Sequence, residues 1–270
     1  MLIANKYNVL GNITSGGFGK VYKGQNVRTG ENVAIKIEFK NNPIKLLKHE
    51  VQVYQHLKKL VCIPTIKWYG VYDEAHYLVM PLYDCSLENI INIDKDIGNK
   101  NVISIAYQII EILQYIHNKE IIHRDIKPAN FVLDKTKNKL LLIDFGFAKR
   151  FMREDGNHIP FTDGKQIIGT PNYISINIHN GNEPSRRDDV ESACYIILFL
   201  YMNISCWLDI VNVDKDTLEL NEILMCKNIC RTSNNIHPVF RDIFKICSNI
   251  SFSEIPDYEK IIECIGNIYE

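Results

Sequence analysis

Three short runs near the start of the chain, Tyr7–Ile13, Gly19–Asn26 and Asn32–Phe39, are rich in β-branched and aromatic residues. Turn signals such as Arg28-Thr29-Gly30 separate them, so the pattern predicts three strands. Pro43 then opens a stretch in which Leu46, Leu47, Val51, Tyr54 and Leu57 recur near the helical period. Two more short strands are expected around Thr65–Val71 and His76–Leu82. After residue 85 the pattern turns helical: Val102, Ile105, Ala106, Ile109, Ile112, Leu113 and Ile116 make one broad apolar stripe, the mark of a long buried helix. Short strands at Phe131–Leu133 and Leu140–Ile143 interrupt the helices, which resume at Asp188 with ends expected near Tyr201, Leu224, Ser248 and Ile268. The reading is α+β, with a β-rich front and an α-rich back that meet near residues 81 to 85.

Composition narrows the function classes. The 270 residues are 46% hydrophobic, enough for one large domain or two small lobes. With 31 basic and 32 acidic residues there is no overall charge to attract nucleic acid or an anionic membrane. Met1–Leu10 lacks a continuous apolar core of the secretory type, and the longest apolar stretch, Ala193–Met202, is too short for a bilayer span of roughly 20 residues. An intracellular protein, cytoplasmic or nuclear, is expected. The eight cysteines form no CxxC pair and read as scattered reduced thiols rather than as a metal site.

Candidate chemistry gathers in four places. Ser15-Gly16-Gly17-Phe18-Gly19 lies between two predicted strands, where glycines let backbone N–H groups approach phosphate oxygens; a tight hairpin is an equal reading of that cluster alone. Lys36, in the apolar run Val33-Ala34-Ile35-Lys36, reads as a charge that needs an anion, with Glu50 on the following helix a candidate; an edge lysine reaching solvent is the competing reading of that run alone. His123-Arg124-Asp125-Ile126-Lys127-Pro128-Ala129-Asn130 follows the long helix. There Asp125 can orient and deprotonate a hydroxyl, Lys127 can stabilise a transferring phosphoryl group, and Asn130 can hold a magnesium ion. Asp144-Phe145-Gly146, fourteen residues beyond Asn130, ends an apolar strand with a carboxylate suited to Mg²⁺.

Together these motifs resemble the protein kinase superfamily and, within it, the casein kinase I family, over nearly all of residues 7 to 268. Ile63-Pro64-Thr65-Ile66-Lys67-Trp68, His158-Ile159-Pro160, Ser175-Ile176-Asn177 and Ser185-Arg186-Arg187-Asp188-Asp189 carry the finer likeness. The resemblance implies a bilobal kinase fold, with a small β-rich N-lobe over 1–82 and a larger helical C-lobe over 83–270. It implies ATP and Mg²⁺ as cofactors and transfer of the γ-phosphate to Ser or Thr of protein substrates near acidic residues, by a monomer that inserts in no membrane. Ile13, Gly16, Gly19, Val21, Ala34, Lys36, Glu50, Met80, Leu82 and Tyr83 would hold the nucleotide, with Met80 as gatekeeper and Pro81, Leu82 and Tyr83 as hinge. Asn130 and Asp144 would hold the metal. Asp125, Lys127 and Asn130 would carry the chemistry. Asp189 would brace the catalytic loop and Thr170 would fix Asp125.

Four positions depart from that family: Thr14 for the first loop glycine, Cys194 for a central-helix glycine, Asp84-Cys85 for the usual Gly-Pro, and Asn172 for an arginine that reads substrate phosphate. Cys85 is either a reachable thiol near the nucleotide or an ordinary small residue. Lys165 is retained, and Lys165, Asn172 and Arg186 are the substrate-binding candidates, with Lys227 a further cation; solvated surface charge is the competing reading for Lys227 and Arg186. Weakened selection for a primed phosphate follows from Asn172. The alternative to an active enzyme is a pseudokinase scaffold, supported by Thr14 and the altered hinge. The segment 147–168 offers Thr162 as its one hydroxyl, and because casein kinase I members generally need no phosphate there, the resemblance implies constitutive activity. The sequence reaches Glu270 without an inhibitory tail of the kind several family members carry, as expected either of a minimal catalytic domain or of a truncated piece of a longer chain.

Overall fold

The computed structural model describes residues 2–16, 19–93, 98–134, 139–203 and 219–269. They form two compact units: Met1–Cys85 together with Val132–Gly146, and Ser86–Phe131 together with Phe147–Glu270.

The first unit is built on a sheet of strands β1 (Leu2–Ile3), β2 (Tyr7–Gly16), β3 (Gly19–Asn26), β4 (Asn32–Phe39), β5 (Trp68–Tyr72) and β6 (Ala75–Pro81). The spatial order is β1-β2-β3-β4-β6-β5 and every pairing is antiparallel. Strand alternation sorts the residues of β4. Val33, Ile35 and Ile37 join Ile3, Tyr7, Ala75, Tyr77 and Val79 in one buried cluster. Ala34, Lys36 and Glu38 therefore share the opposite face. The three strands expected before residue 40 are present, and β1 is a short addition that the pattern did not signal.

Helix α1 spans Leu47–Leu57 and begins four residues later than Pro43 suggested. Its start is set from a distance. The buried Glu38 carboxylate accepts hydrogen bonds from the N–H groups of Leu46 at 2.7 Å and Leu47 at 2.9 Å. A carboxylate there satisfies two orphan donors and complements the helix dipole. Strands β8 (Phe131–Leu133) and β9 (Leu140–Leu142) pair with each other. Hydrogen bonds from Leu133 N–H to the Cys85 carbonyl and from Leu142 N–H to the Cys62 carbonyl, each 3.0 Å, tie this hairpin to the first unit.

The second unit holds α2 (Leu87–Ile93), α3 (Asn99–His117), α4 (Ile176–His179), α5 (Arg186–Met202), α6 (Leu220–Thr232), α7 (Pro238–Asn249) and α8 (Tyr258–Gly266). The two-residue strands β7 (Ile121–Ile122) and β10 (Lys149–Arg150) pair antiparallel. Helix α5 is buried on all sides from Val190 to Leu200, so its apolar run is a core helix packed on α3 and α7. Asp188 caps its start by accepting from Ser185 N–H at 2.7 Å. Cys194 fills this core with its sulfur 3.9 Å from that of Cys247. Helix α6 runs on to Thr232 instead of ending near Leu224, because Ile223, Cys226, Lys227 and Cys230 form a buried stripe that includes a lysine. Among the described residues no helix is long and apolar enough to cross a membrane.

Candidate active site

Each unit carries a cluster of the residues singled out from sequence. In the first, Lys36 Nζ lies 2.7 Å from Glu50 Oε2 and 2.7 Å from Asp144 Oδ1. Alternation in β4 aims Lys36 at the face covered by α1, and one turn past the Glu38 cap α1 supplies Glu50, which is buried. Asp144 follows β9 and holds φ at +65°, a left-handed conformation that Asp adopts more readily than most residues. Its N–H donates to the Tyr54 hydroxyl at 3.0 Å, and Phe145 packs edge-on against the Tyr54 ring with centroids 5.1 Å apart. This fixes the turn that presents the Asp144 carboxylate, whose side chain stays 43% exposed.

Electrostatics in this cluster is unbalanced. Burial works against the Lys36 ammonium, but Glu50 and Asp144 outweigh it and hold the lysine above its usual range. Burial also pushes the Glu50 carboxyl up to about 7, opposed by Lys36 and reinforced by Asp144. Two carboxylates compete for one ammonium, and one of them faces solvent.

The expected nucleotide residues lie on the same sheet. Gly16 and Gly19 pair across the β2–β3 hairpin, Val21 pairs with Lys36, and Ala34 pairs with Met80. Gly17 and Phe18 lie outside the described residues. Ile13 is exposed on β2, and Leu82 and Tyr83 follow β6 half-buried. Burial raises the Tyr83 phenol, with Asp134 adding to the rise. Cys85 is half-buried.

In the second unit the Asp125 carboxylate is buried and held at both oxygens. Thr170 Oγ1 donates to Oδ1 at 2.8 Å, and Lys127 Nζ lies 2.7 Å from Oδ2 while donating to Thr170 Oγ1 at 3.2 Å. Asn130 Nδ2 donates to the Asp125 carbonyl at 2.8 Å. Asp189, at the start of α5, accepts from His123 N–H at 2.7 Å and Arg124 N–H at 2.9 Å. Its Oδ2 is also 3.0 Å from His117 Nε2. Burial keeps His117 neutral by lowering its pKa, so Nε2–H donates to Asp189 and Nδ1 accepts from Tyr258 O–H at 2.7 Å. Burial alone would raise Asp189, yet His117, His123 and their hydrogen bonds bring its pKa below the usual value.

Sequence reasoning missed several supports of this cluster. His117 closes the apolar stripe of α3, and a polar residue in such a stripe was the available signal. Gly169 has φ +105°, and a Cβ there would sit 2.8 Å from the Arg124 carbonyl oxygen and 2.6 Å from Ile174 Cγ2, so the close approach requires glycine. Lys227 is fully buried rather than a surface charge. Its Nζ donates to the carbonyls of Pro171 at 2.7 Å and Ile174 at 2.6 Å and lies 3.0 Å from His179 Nε2. One side chain from α6 thus pins the segment that carries Thr170. Burial lowers this lysine to about 7, with Glu191 opposing and Arg231 assisting.

The remaining substrate candidates hold different partners. Arg186 is buried, donates to the Ser253 carbonyl and stacks over the Phe151 ring, 4.5 Å from its centroid. Lys165 Nζ lies 3.6 Å from Glu183 Oε2. Asn172 is half-buried.

A family model described as the protein kinase domain matches residues 7–262. That span contains both clusters, the sheet that bears Lys36 and the loop that bears Asp125. A β-rich first region, a helical second region and a match over nearly the whole chain agree, and the chain belongs to the protein kinase family.

Proposed function

We propose that the chain is an active serine/threonine kinase of the casein kinase I type, using ATP and Mg²⁺, with 1–82 serving as its nucleotide lobe and 83–270 as its substrate lobe. The observation that carries this reading is the state of Asp125. It is buried and fixed through both oxygens, with Lys127 as its cationic partner. A base that must meet a hydroxyl, beside an ammonium that can follow charge onto a phosphoryl group, is the arrangement phosphoryl transfer needs.

The residues fit the cofactors. Asp144 keeps its carboxylate accessible, and Asn130 spends its amide nitrogen on Asp125, which leaves an amide oxygen suited to a hard cation. Lys36, held charged by Glu50, would bind phosphate oxygens. Ile13, Gly16, Gly19, Val21, Ala34, Met80, Leu82 and Tyr83 would line the nucleotide. Bound Mg²⁺ supplies neutralisation of the charge on the phosphate oxygens. Asp125 takes the proton of the substrate hydroxyl, Thr170 keeps its carboxylate aligned, and Lys127 stabilises the phosphoryl oxygens as bonding shifts. Transfer of radiolabelled γ-phosphate to casein tests the reading. Wild type should label casein and Asp144→Asn should not. A wild type that binds ATP but transfers nothing would support the scaffold reading.

Acidic residues near the target would be favoured, with weakened selection for a primed phosphate. Asn172 offers no charge to it, and Lys165 is already engaged by Glu183. Peptides with and without phosphoserine three residues upstream should be phosphorylated at similar kcat/KM. A large gain with the phosphopeptide would overturn this.

A further inference from the structure

Glu183 lies outside both clusters, in the turn between α4 and α5, and its carboxylate is buried. It sits among cations from three segments. Lys149 of β10 lies 2.7 Å from Oε1 and Lys165 of the activation segment 3.6 Å from Oε2. Arg124 of the catalytic loop interacts with it electrostatically. Burial alone would raise the Glu183 carboxyl, but Lys149, Lys165 and Arg124 together bring it below its usual range. Backbone bonds add to the grip. Glu183 N–H donates to the Thr162 carbonyl at 2.8 Å, and Lys165 N–H to the Gly181 carbonyl at 2.7 Å. The turn from 181 to 183 is thereby clipped to the activation segment.

Arg124 connects this site to the chemistry. It precedes Asp125, has φ +67°, and its Nε donates to the Phe147 carbonyl at 2.6 Å. A phosphate placed opposite such a cluster orders a loop through charge-assisted hydrogen bonds. Here the one hydroxyl residue of segment 147–168, Thr162, has its oxygen buried, and its carbonyl is taken up in the clip. The segment's own hydroxyl is not presented for modification, and the anion is already in place.

We propose that Glu183 is the built-in anion of this kinase, holding Lys149 and Lys165 as a phosphate would while setting a negative charge near Arg124, and so positioning Asp125 without any modification. The proposal rests on the kinase reading above, and it names a positioning residue, since Glu183 acts through Lys149, Lys165 and the loop that bears Arg124.

Glu183→Ala and Glu183→Gln in the full chain test it, after phosphatase treatment. Both variants should lose roughly 10- to 100-fold in kcat on casein. KM for ATP should stay near that of wild type, because Lys36 and Asp144 are untouched. Inorganic phosphate should restore part of the turnover of Glu183→Ala, whereas potassium chloride at matched ionic strength should not. Phosphate should also raise the melting temperature of Glu183→Ala more than that of wild type. This second reading needs no turnover, so an inactive wild type would sink the kinase reading and leave the role of Glu183 to be decided by melting. Unchanged kcat in both variants would overturn the proposal, as would a loss that phosphate neither rescues nor matches with added stability. If Glu183→Ala does not fold, Glu183→Gln decides between the two outcomes by the same kinetic and melting measurements.

Discussion

Replacing Asp189 with asparagine isolates how the loop that bears His123, Arg124 and Asp125 is held. The native carboxylate accepts three hydrogen bonds, from His123 N–H, His117 Nε2–H and Arg124 N–H, at 2.7, 3.0 and 2.9 Å. Asparagine keeps the shape but has one oxygen. Its best orientation leaves that oxygen facing His123 and His117 and turns the amide nitrogen against Arg124 N–H. One buried donor is then unsatisfied, at about 1–3 kcal/mol, and the two retained bonds lose charge assistance, at about 1 kcal/mol each. The neutral side chain regains part of the desolvation cost that the buried carboxylate bears, so a net loss of about 3 kcal/mol is expected. For a chain of this size that corresponds to a fall of roughly 6–12 °C in Tm. Displacing Asp125 by even a fraction of an ångström should also lower kcat by roughly 10- to 100-fold, with KM for ATP little changed. Differential scanning fluorimetry and steady-state kinetics on casein read the two effects. A variant that melts within about 2 °C of wild type and keeps its kcat would refute the bracing role.

Two further changes probe the same unit. Lys227→Met should strand the carbonyls of Pro171 and Ile174 and cost at least about 2 kcal/mol in urea unfolding. Because burial lowers the native lysine from 10.5 to about 7, the unfolded chain binds more protons between those values. The lysine's contribution is thus largest above 10.5 and is lost as pH falls towards 7. The wild-type urea midpoint should gain on the variant's between pH 7 and pH 9, and parallel curves would contradict this. Gly169→Ala, at φ +105° and with its methyl 2.8 Å from the Arg124 carbonyl, should cost about 1–3 kcal/mol and reduce kcat; a variant as stable and active as wild type would show that the loop yields freely.

The sequence alone determined the order of elements and which groups are candidates for the chemistry. Strand alternation put Val33, Ile35 and Ile37 on one face and Lys36 on the other, and both follow from a two-residue period that needs no knowledge of the neighbours. The strings around Asp125 and Asp144 are local too, because a loop bearing an aspartate and an asparagine five residues apart is specified by its own residues. Tertiary structure decided the partners. Lys36 meets Asp144 across 108 positions, and Thr170 meets Asp125 across 45. Helix α1 starts at a carboxylate from β4, which no local rule for helix ends contains. Lys227 looks like a surface cation in a helical repeat until the three acceptors that surround it are known. Glu183 carries no motif at all, and the cations around it come from three separate segments. Periodicity fixes which face a residue takes, because that depends on backbone geometry over a few residues. What a buried charge pairs with depends on which distant segments fold against it, and that is set only when the whole core closes.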